Sequence, residues 1–162
     1  MANLNGCQNT ESRVAFVLGA NGTHDNKLAA WGGGIRVGAG LLSYKDDQLA
    51  SIHSLSFMDD IVSKDGKKES LMGAEYRIAI PVIPNLAIAG MSQIMFGKTY
   101  FKHMSGLGVE AIIWGRNRSE SWRPVIEIGA FYSLGWGAGD YTKDGALFFH
   151  SPNFTASISF PY

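Results

Sequence analysis

The amino-acid sequence predicts an all-β fold, an eight-stranded antiparallel up-and-down barrel. Eight stretches have strand-like composition, and on six of them one face is apolar while the other carries one or two charges among small residues. In the fourth stretch Glu75 and Arg77 alternate with Ala74, Tyr76 and Ile78, so the two charges share one face of a strand. No apolar run is long enough to form a helix that spans a bilayer.

The first four predicted strands differ in how clearly their two faces separate. Arg13 on the first strand and Arg36 on the second each lie opposite an apolar row. The third strand has the least distinct faces, because Ser51, Ser54 and Ser56 interrupt its alternation. The predicted ranges of these strands are Ser12–Leu18, Trp31–Leu42, Leu49–Phe57 and Ser70–Ile80.

The last four predicted strands repeat the same alternation. Glu110 and Glu127 each lie opposite an apolar row, as the arginines do on the earlier strands. The final strand alternates apolar residues with Thr and Ser and ends on the aromatic Tyr162, which is typical of the strand that closes an outer-membrane barrel. The predicted ranges are Leu86–Phe96, Leu107–Trp114, Pro124–Tyr132 and Asn153–Tyr162.

The polar faces of these strands are too poor in charge to be water-exposed surfaces. A soluble sandwich or barrel would show several Lys, Glu, Asp or Asn per strand, whereas here glycine and alanine surround one or two ions. We therefore expect an outer-membrane barrel with apolar residues facing lipid and a polar, charged lower lumen. Inside it, buried charges should form networks. These charges are three arginines and three glutamates: Arg13, Arg36, Arg77, Glu75, Glu110 and Glu127.

Length, charge and cysteine content restrict the domain organisation, the partners and the kinds of metal or disulfide site that we expect. The 162 residues fit a flexible N-terminal segment, residues 1–11, and one barrel domain, residues 12–162. A net charge of zero with no basic run predicts no nucleic-acid partner. The single cysteine excludes an internal disulfide framework and a cysteine-rich zinc site, and we expect no metal and no cofactor. Residues 1–10 lack the apolar core of a signal peptide, although an outer-membrane protein must be exported. Either the sequence is a mature segment with an added initiator Met, or the barrel interpretation is wrong.

The connections between predicted strands alternate in length. Long connections outside and short periplasmic turns are typical of outer-membrane barrels, and we expect the long ones at the outer end. The four long connections are Gly19–Ala30, Met58–Glu69, Gly97–Gly106 and Ser133–Pro152. Aromatic residues near the strand ends predict interfacial girdles. These residues are Trp31, Tyr44, Trp114, Trp122, Tyr132 and Tyr162.

Three segments together resemble the PagP-type lipid A palmitoyltransferases, which are small eight-stranded outer-membrane barrels. The first is the Trp-Gly-Gly-Gly sequence that opens the second strand at Trp31. The second is the sequence 57–60, Phe-Met-Asp-Asp, where the family has Phe, any residue, Asp and Ser. The third is the sequence 69–76, which is similar to the family's Glu-Pro-apolar-Ala-Gly-Tyr-Gly-Trp. The resemblance covers about a third of the chain.

The resemblance implies transfer of a palmitoyl chain from a phospholipid to lipid A, by a His, an Asp and a Ser at the extracellular rim. It places Asp59 at the Asp position, but Asp60 stands where the family has Ser, and the first strand lacks the family's His. We therefore predict His24 as the base, Asp59 as its orienting carboxylate, and Ser63 or Ser105 as hydroxyl donor. All of these residues, with His103 and His150, fall on the predicted outer loops.

A lipid substrate would also need an apolar well in the upper lumen. We expect it to be lined by apolar residues and by glycines that leave room for an alkyl chain, although such glycines also simply relieve crowding. If Glu75 lies at its base, as the resemblance implies, the accepted chain is shorter than palmitoyl. The predicted substrate-binding residues are Gly32, Gly34, Leu55, Phe57, Leu71, Gly73, Met91, Gly108, Gly129 and Phe131.

Two other functions fit the sequence. One is a non-enzymatic outer-membrane barrel of the OmpA/OmpX type, with a structural or adhesive role. The other is a soluble barrel that carries a fatty acid, with Arg36 or Arg77 pairing its carboxylate. In the leading hypothesis the partners are the outer membrane and its lipids, phospholipid and lipid A, and the protein is a monomer.

Overall fold

A computed structural model describes residues 10–25, 30–64, 66–115, 123–139 and 147–162. These residues form eight antiparallel strands, each hydrogen-bonded to the next along the chain, and β8 pairs with β1 to close a barrel. The fold prediction is therefore confirmed. The strands are β1 (Thr10–Asp25), β2 (Ala30–Lys45), β3 (Gln48–Lys64), β4 (Lys67–Ile83), β5 (Leu86–Phe96), β6 (Tyr100–Trp114), β7 (Val125–Gly139) and β8 (Leu147–Pro161).

The strands are longer than the sequence predicts. They run for 11 to 17 residues, and they absorb most of the residues that we expected in long loops. For example, β3 continues to Lys64 and β4 begins at Lys67, where we predicted a connection of Met58–Glu69. The predicted contrast between long outer loops and short turns is therefore wrong. The reason is that Gly, Ser, His and Asp continue the alternating pattern in the upper parts of the strands.

The register fixes the shape of the barrel. Paired residues followed from Arg13 once around the barrel lead back to β1 at Thr23, ten residues farther along the strand. Such a stagger tilts the strands, and an eight-stranded barrel has an interior that side chains just fill. We call the end that carries Thr10 and Tyr162 the lower end and the opposite end the upper end. Across the described residues, no helix is long and apolar enough to cross a bilayer.

Two irregularities in β2 and β3 explain the weak pattern there. Asp46 and Asp47, with φ of 48° and 64°, make a two-residue turn of the kind that matches strand twist. Above this turn the register shifts, because Ser43 pairs with Ser51 while Tyr44 pairs with Leu49. The extra residue reverses the alternation of β3, so that Leu49 points inward and later odd-numbered residues point outward.

The outer surface is apolar on every strand. Examples of large apolar side chains that face outward are Val14, Ile35, Ile88 and Leu134, which have 45–67% of their area exposed. Among the described residues, the outward-facing charged positions on strands are Lys45, Asp59 and Lys68, and both lysines lie at strand ends. Apolar residues outside and ions inside are the distribution that we predicted.

The aromatic residues only partly follow the predicted girdles. Trp31 at the upper end and Trp114 and Tyr162 at the lower end face outward. Tyr44, however, is buried in the lumen, and Tyr132 lies midway along β7. Trp122 lies outside the described residues.

Candidate functional site

The middle of the lumen is crossed by two ion-pair networks that connect non-adjacent strands. Arg36 on β2 pairs with Glu75 on β4, and Gln93 Nε2 on β5 donates to the same carboxylate at 2.7 Å. Each of these side chains is almost completely buried. Buried charges are stable in pairs with additional hydrogen bonds, so this network fixes three strands relative to one another.

The second network is centred on Arg77 of β4. Its guanidinium contacts Glu110 at 2.7 Å and Glu127 at 3.0 Å, and it donates to Ser157 Oγ at 2.9 Å. These partners lie on β6, β7 and β8. Five of the six predicted charges therefore form the expected networks. Arg13 does not, because it lies near the lower end of β1 and bonds to Glu11 at 2.9 Å.

Below these networks the lumen is closed by apolar side chains. The prediction of a polar, charged lower lumen is therefore wrong at this depth, because the inward positions near the lower strand ends are mostly apolar. This lower cluster includes Leu42, Tyr44, Ile52, Ile112 and Val125, all of them buried. Met91 and Phe131 belong to the same cluster, although we had placed both in an apolar well in the upper half. Strand tilt accounts for the difference, because residues at one sequence depth lie at different heights on different strands.

The glycines of the lumen accommodate protein side chains. A Cβ at Gly129 would lie 2.7 Å from Phe131 Cε2, and one at Gly108 would lie 2.8 Å from Phe131 Cδ1. Likewise, a Cβ at Gly19 would lie 2.6 Å from Arg36 Nε. The space that these three glycines create is therefore occupied by Phe131 and Arg36, as expected if such glycines relieve crowding.

Other predicted substrate-binding residues are divided between the two faces. Four of them occupy inward positions in the upper lumen, as predicted: Gly32, Gly34, Leu71 and Gly73. Leu55 and Phe57 face outward, with 62% and 53% of their area exposed. The bulge in β3 is the reason, because above it the odd-numbered residues of the strand point outward.

The upper lumen is polar, where we expected an apolar well. Lys102 Nζ on β6 lies 3.9 Å from Asp25 Oδ2 on β1. Asn21 Nδ2 donates to Asp60 Oδ2 at 3.0 Å. Apolar side chains, including Met58 and Met95, line the remainder of this region.

The polar groups of the upper lumen are incompletely satisfied. Asp25, Asp60 and Lys102 have at most 1% of their area exposed. Even so, Asp25 Oδ1, Asp60 Oδ1 and Lys102 Nζ make no hydrogen bond. Unsatisfied buried groups of this kind are uncommon in folded proteins. We call Asn21, Asp25, Asp60 and Lys102 the upper polar cluster.

Sequence reasoning missed Asp25 and Lys102, since both fell in predicted loops. The signal was present, because Asp25 continues the inward series of β1 that starts at Arg13, and Lys102 continues that of β6 from Glu110. The described residues contain no group of three or more His, Cys, Asp or Glu side chains that is placed to hold a metal ion.

The predicted catalytic residues are not brought to one point. His24 faces outward, and its ring stacks on Trp31 with centroids 4.2 Å apart. Asp59 also faces outward and accepts a hydrogen bond from Ser70 Oγ at 2.8 Å, while Asp60 points into the lumen. Ser63 pairs with Trp31 across β2 and β3, so Trp31 stands between His24 and Ser63.

The other loop candidates also lie within strands. His103 and Ser105 are on β6, and His150 is on β8. His103 Nε2 lies 3.5 Å from Ser92 Oγ, and the ring of His150 stacks on Tyr132 with centroids 5.7 Å apart. With His53, which bonds to Tyr76 at 2.9 Å, all four histidines of the chain lie on outward positions.

Comparison with known proteins adds little to this description. No protein-family model matches the chain, and no curated protein matches it. Among solved structures, the chain is similar to a protein described as a KdgM porin, with 4% sequence identity and a TM-score of 0.24 over 90% of this chain and 99% of that one. The assignment of the fold therefore rests on the strand register of this chain itself.

Proposed function

We propose that this protein is a small outer-membrane barrel with a sealed interior, whose role is structural or adhesive at the membrane surface and does not include conduction. One observation carries the proposal. The outer face is apolar on every strand, while the lumen is crossed by the Arg36 and Arg77 networks and closed below them by the lower cluster. A bilayer requires an apolar exterior on a barrel and permits a polar or charged interior.

Two charged substitutions on the outer face of β3 test the membrane placement. Leu55 lies midway along the strand and Ser51 lies near its lower end, and both face outward. Arginine facing lipid costs about 2–4 kcal/mol at the bilayer midplane and about 0–1 kcal/mol near the interface. We therefore expect Leu55→Arg to lower the free energy of unfolding in phospholipid vesicles far more than Ser51→Arg.

Comparison of these two variants distinguishes a membrane-embedded barrel from a soluble barrel. Similar small effects of Leu55→Arg and Ser51→Arg, together with a monodisperse protein in the absence of detergent, would contradict the membrane placement. That result would favour the soluble carrier. The structure gives that carrier little support, since the guanidinium groups of Arg36 and Arg77 are already engaged by glutamates.

The sealed interior has its own test. In a planar bilayer, the purified protein should produce no discrete current steps above the lipid baseline, because the lower cluster and the ion-pair networks fill the lumen. Vesicle flotation in the same preparation checks that the protein has inserted. Regular channel openings from inserted protein would refute the proposal of a sealed barrel.

Acyl transfer to lipid A is a second candidate function. The observation that favours it is the hydrogen bond between Ser70 and Asp59, since it gives the carboxylate at the motif position a hydroxyl partner near the upper end. Lipid mass spectrometry of cells that express the chain would detect lipid A with one added acyl group. The reaction should be lost in Asp59→Asn and retained in Asp47→Asn, a change in the lower turn. No acylated product from the parent chain would rule it out.

A further inference from the structure

A groove on the outer surface interrupts the apolar face of β4, β5 and β6. Its outward-facing side chains are Tyr76, Ile78, Ser92, Ser105 and Leu107, and its floor is at Gly90. Gly90 pairs with Ile78 on one side and with Leu107 on the other. The missing side chain at Gly90 therefore leaves a depression between two apolar walls.

The groove changes from apolar to polar along its length. Along β5, the outward positions proceed from Ile88 through Gly90 to Ser92, in the direction of the upper end. Ser92 Oγ lies 3.0 Å from Ser105 Oγ. One of the two hydroxyls donates to the other, and His103 Nε2 lies 3.5 Å from Ser92 Oγ. In the tautomer whose Nε2–H donates to Ser92, the pair retains one proton for another acceptor. His103 follows Ser105 toward the upper end.

This polarity is unusual for a surface that faces lipid. A polar group that faces hydrocarbon without a partner costs free energy, and the neighbouring outward residues Ile94 and Val109 are apolar. The described residues include a second outer groove that serves as a comparison. It lies across β1, β7 and β8, and its outward-facing side chains are all apolar: Leu18, Ile126, Ile128, Ala156 and Ile158.

We propose that the groove at Gly90 binds one phospholipid molecule. An acyl chain lies against Gly90 between Ile78 and Leu107, and the serine pair donates to an ester or phosphate oxygen of the lipid. The polar group of this lipid points toward the upper end of the barrel, in agreement with the order of residues along β5. The inference rests on the proposed membrane function, because a phospholipid reaches this surface from the surrounding leaflet.

Native mass spectrometry of the full chain in detergent, titrated with phosphatidylglycerol, tests the proposal. Gly90→Leu should fill the groove without strain, because a Cβ there has its nearest neighbours at 3.6 Å. We expect it to weaken binding of the first lipid by roughly tenfold, equivalent to the loss of about 1.4 kcal/mol. The matched control, Ala156→Leu, fills the apolar groove and should leave that binding unchanged.

A second variant separates the polar contact from the shape of the groove. Ser92→Ala with Ser105→Ala keeps the depression and removes both hydroxyls. We expect weaker phospholipid binding, by roughly threefold to tenfold, as for the loss of about one net hydrogen bond. Equal weakening by Ala156→Leu and Gly90→Leu would overturn the proposal, since it would indicate non-selective lipid association.

The remaining outcomes also decide the question. A dimer that is present in the parent and lost in Gly90→Leu would assign the groove to a second copy of this chain and overturn the lipid proposal. Vesicle flotation distinguishes failure of the lipid-binding proposal from failure of the proposed membrane function. A chain that inserts but binds no lipid at the groove refutes the inference alone, whereas a chain that does not insert refutes both.

Discussion

The lower and upper halves of the lumen are filled by different kinds of interaction. Below the Arg77 network, apolar side chains such as Leu42 and Ile112 pack against one another with no exposed area or almost none. Above the Arg36 network, Lys102 and two aspartates are buried together, and each retains an unbonded polar atom. Both halves exclude solvent, but the lower half is filled mainly by apolar side chains, whereas the upper half buries charged groups.

The difference indicates a division of roles. Close apolar packing and ion pairs at hydrogen-bonding distance stabilise a fold, although Arg36, Arg77, Glu110 and Glu127 each retain an atom without a hydrogen bond. In the upper half the cation lies 3.9 Å from its counter-ion and makes no hydrogen bond, and buried polar groups of this kind cost stability. We therefore expect the lower half and the middle networks to determine the free energy of unfolding. The upper half should tolerate substitution better, and the following predictions test this contrast.

The largest loss should follow the removal of Arg77. Arg77→Met leaves Glu110 and Glu127 buried without their cation, and breaking a buried pair in this way costs about 3–5 kcal/mol. Urea unfolding in phospholipid vesicles, followed by tryptophan fluorescence, measures the change. Neutralising both partners as well, with Glu110→Gln and Glu127→Gln, should recover much of the loss. An Arg77→Met variant as stable as the parent would contradict the proposed role of the network.

The next largest effect should come from the lower cluster. Leu42→Ala removes a fully buried side chain, and such changes cost about 2–5 kcal/mol. Its neighbour Leu41 faces outward with 41% of its area exposed, where lipid fills the vacated space. The loss of stability in Leu41→Ala should therefore be much smaller in the same unfolding assay. Equal losses would show that the packing of the two faces does not differ.

A smaller effect is expected from the upper polar cluster. Lys102→Met removes the cation beside Asp25, but Lys102 Nζ forms no hydrogen bond and lies 3.9 Å from the carboxylate. We expect a loss of about 1–3 kcal/mol, the usual cost of a buried polar group left without a partner. A loss as large as that of Arg77→Met would remove the contrast between the two halves.

The smallest effect should come from Asp60→Asn. The asparagine keeps an oxygen that accepts from Asn21 Nδ2, and Lys102 retains Asp25 as its counter-ion. Stability should change by less than about 1 kcal/mol. Comparison with Asp60→Leu separates charge from hydrogen bonding, because leucine removes both and should cost more. If Asp60→Asn and Asp60→Leu are equally destabilising, the carboxylate charge is essential to the upper cluster.

The sequence predicts the fold well because strand alternation is a local property. Arg36, Glu75, Arg77, Glu110 and Glu127 lie on the predicted face, since each is surrounded by outward apolar residues at odd spacing. The positions of the turns were harder to predict. Polar residues that continue a strand above the apolar region have the same composition as a loop, and the bulge in β3 reverses the alternation without a distinctive residue to mark it.

The candidate site was much less predictable. Contacts such as Lys102 with Asp25 join strands that are not neighbours, and the stagger of the barrel decides which residues meet across the lumen. The motif at residues 57–60 gave positions but no orientation, so it did not reveal that Asp59 faces outward while Asp60 faces inward. Local patterns define the two faces of each strand, and the stagger then determines the partners.

The pairing of β1 with β8 has a consequence for how the protein forms. Val17 pairs with Ser159 across this seam, so the first and last strands must meet before the two outer edges of the sheet are covered. Until then the sheet is open, and its two unpaired edges offer backbone groups to other chains. Contacts between such distant segments form slowly. The growing sheet therefore needs protection until its final strand arrives, and loss of that strand alone would leave both edges open to aggregation.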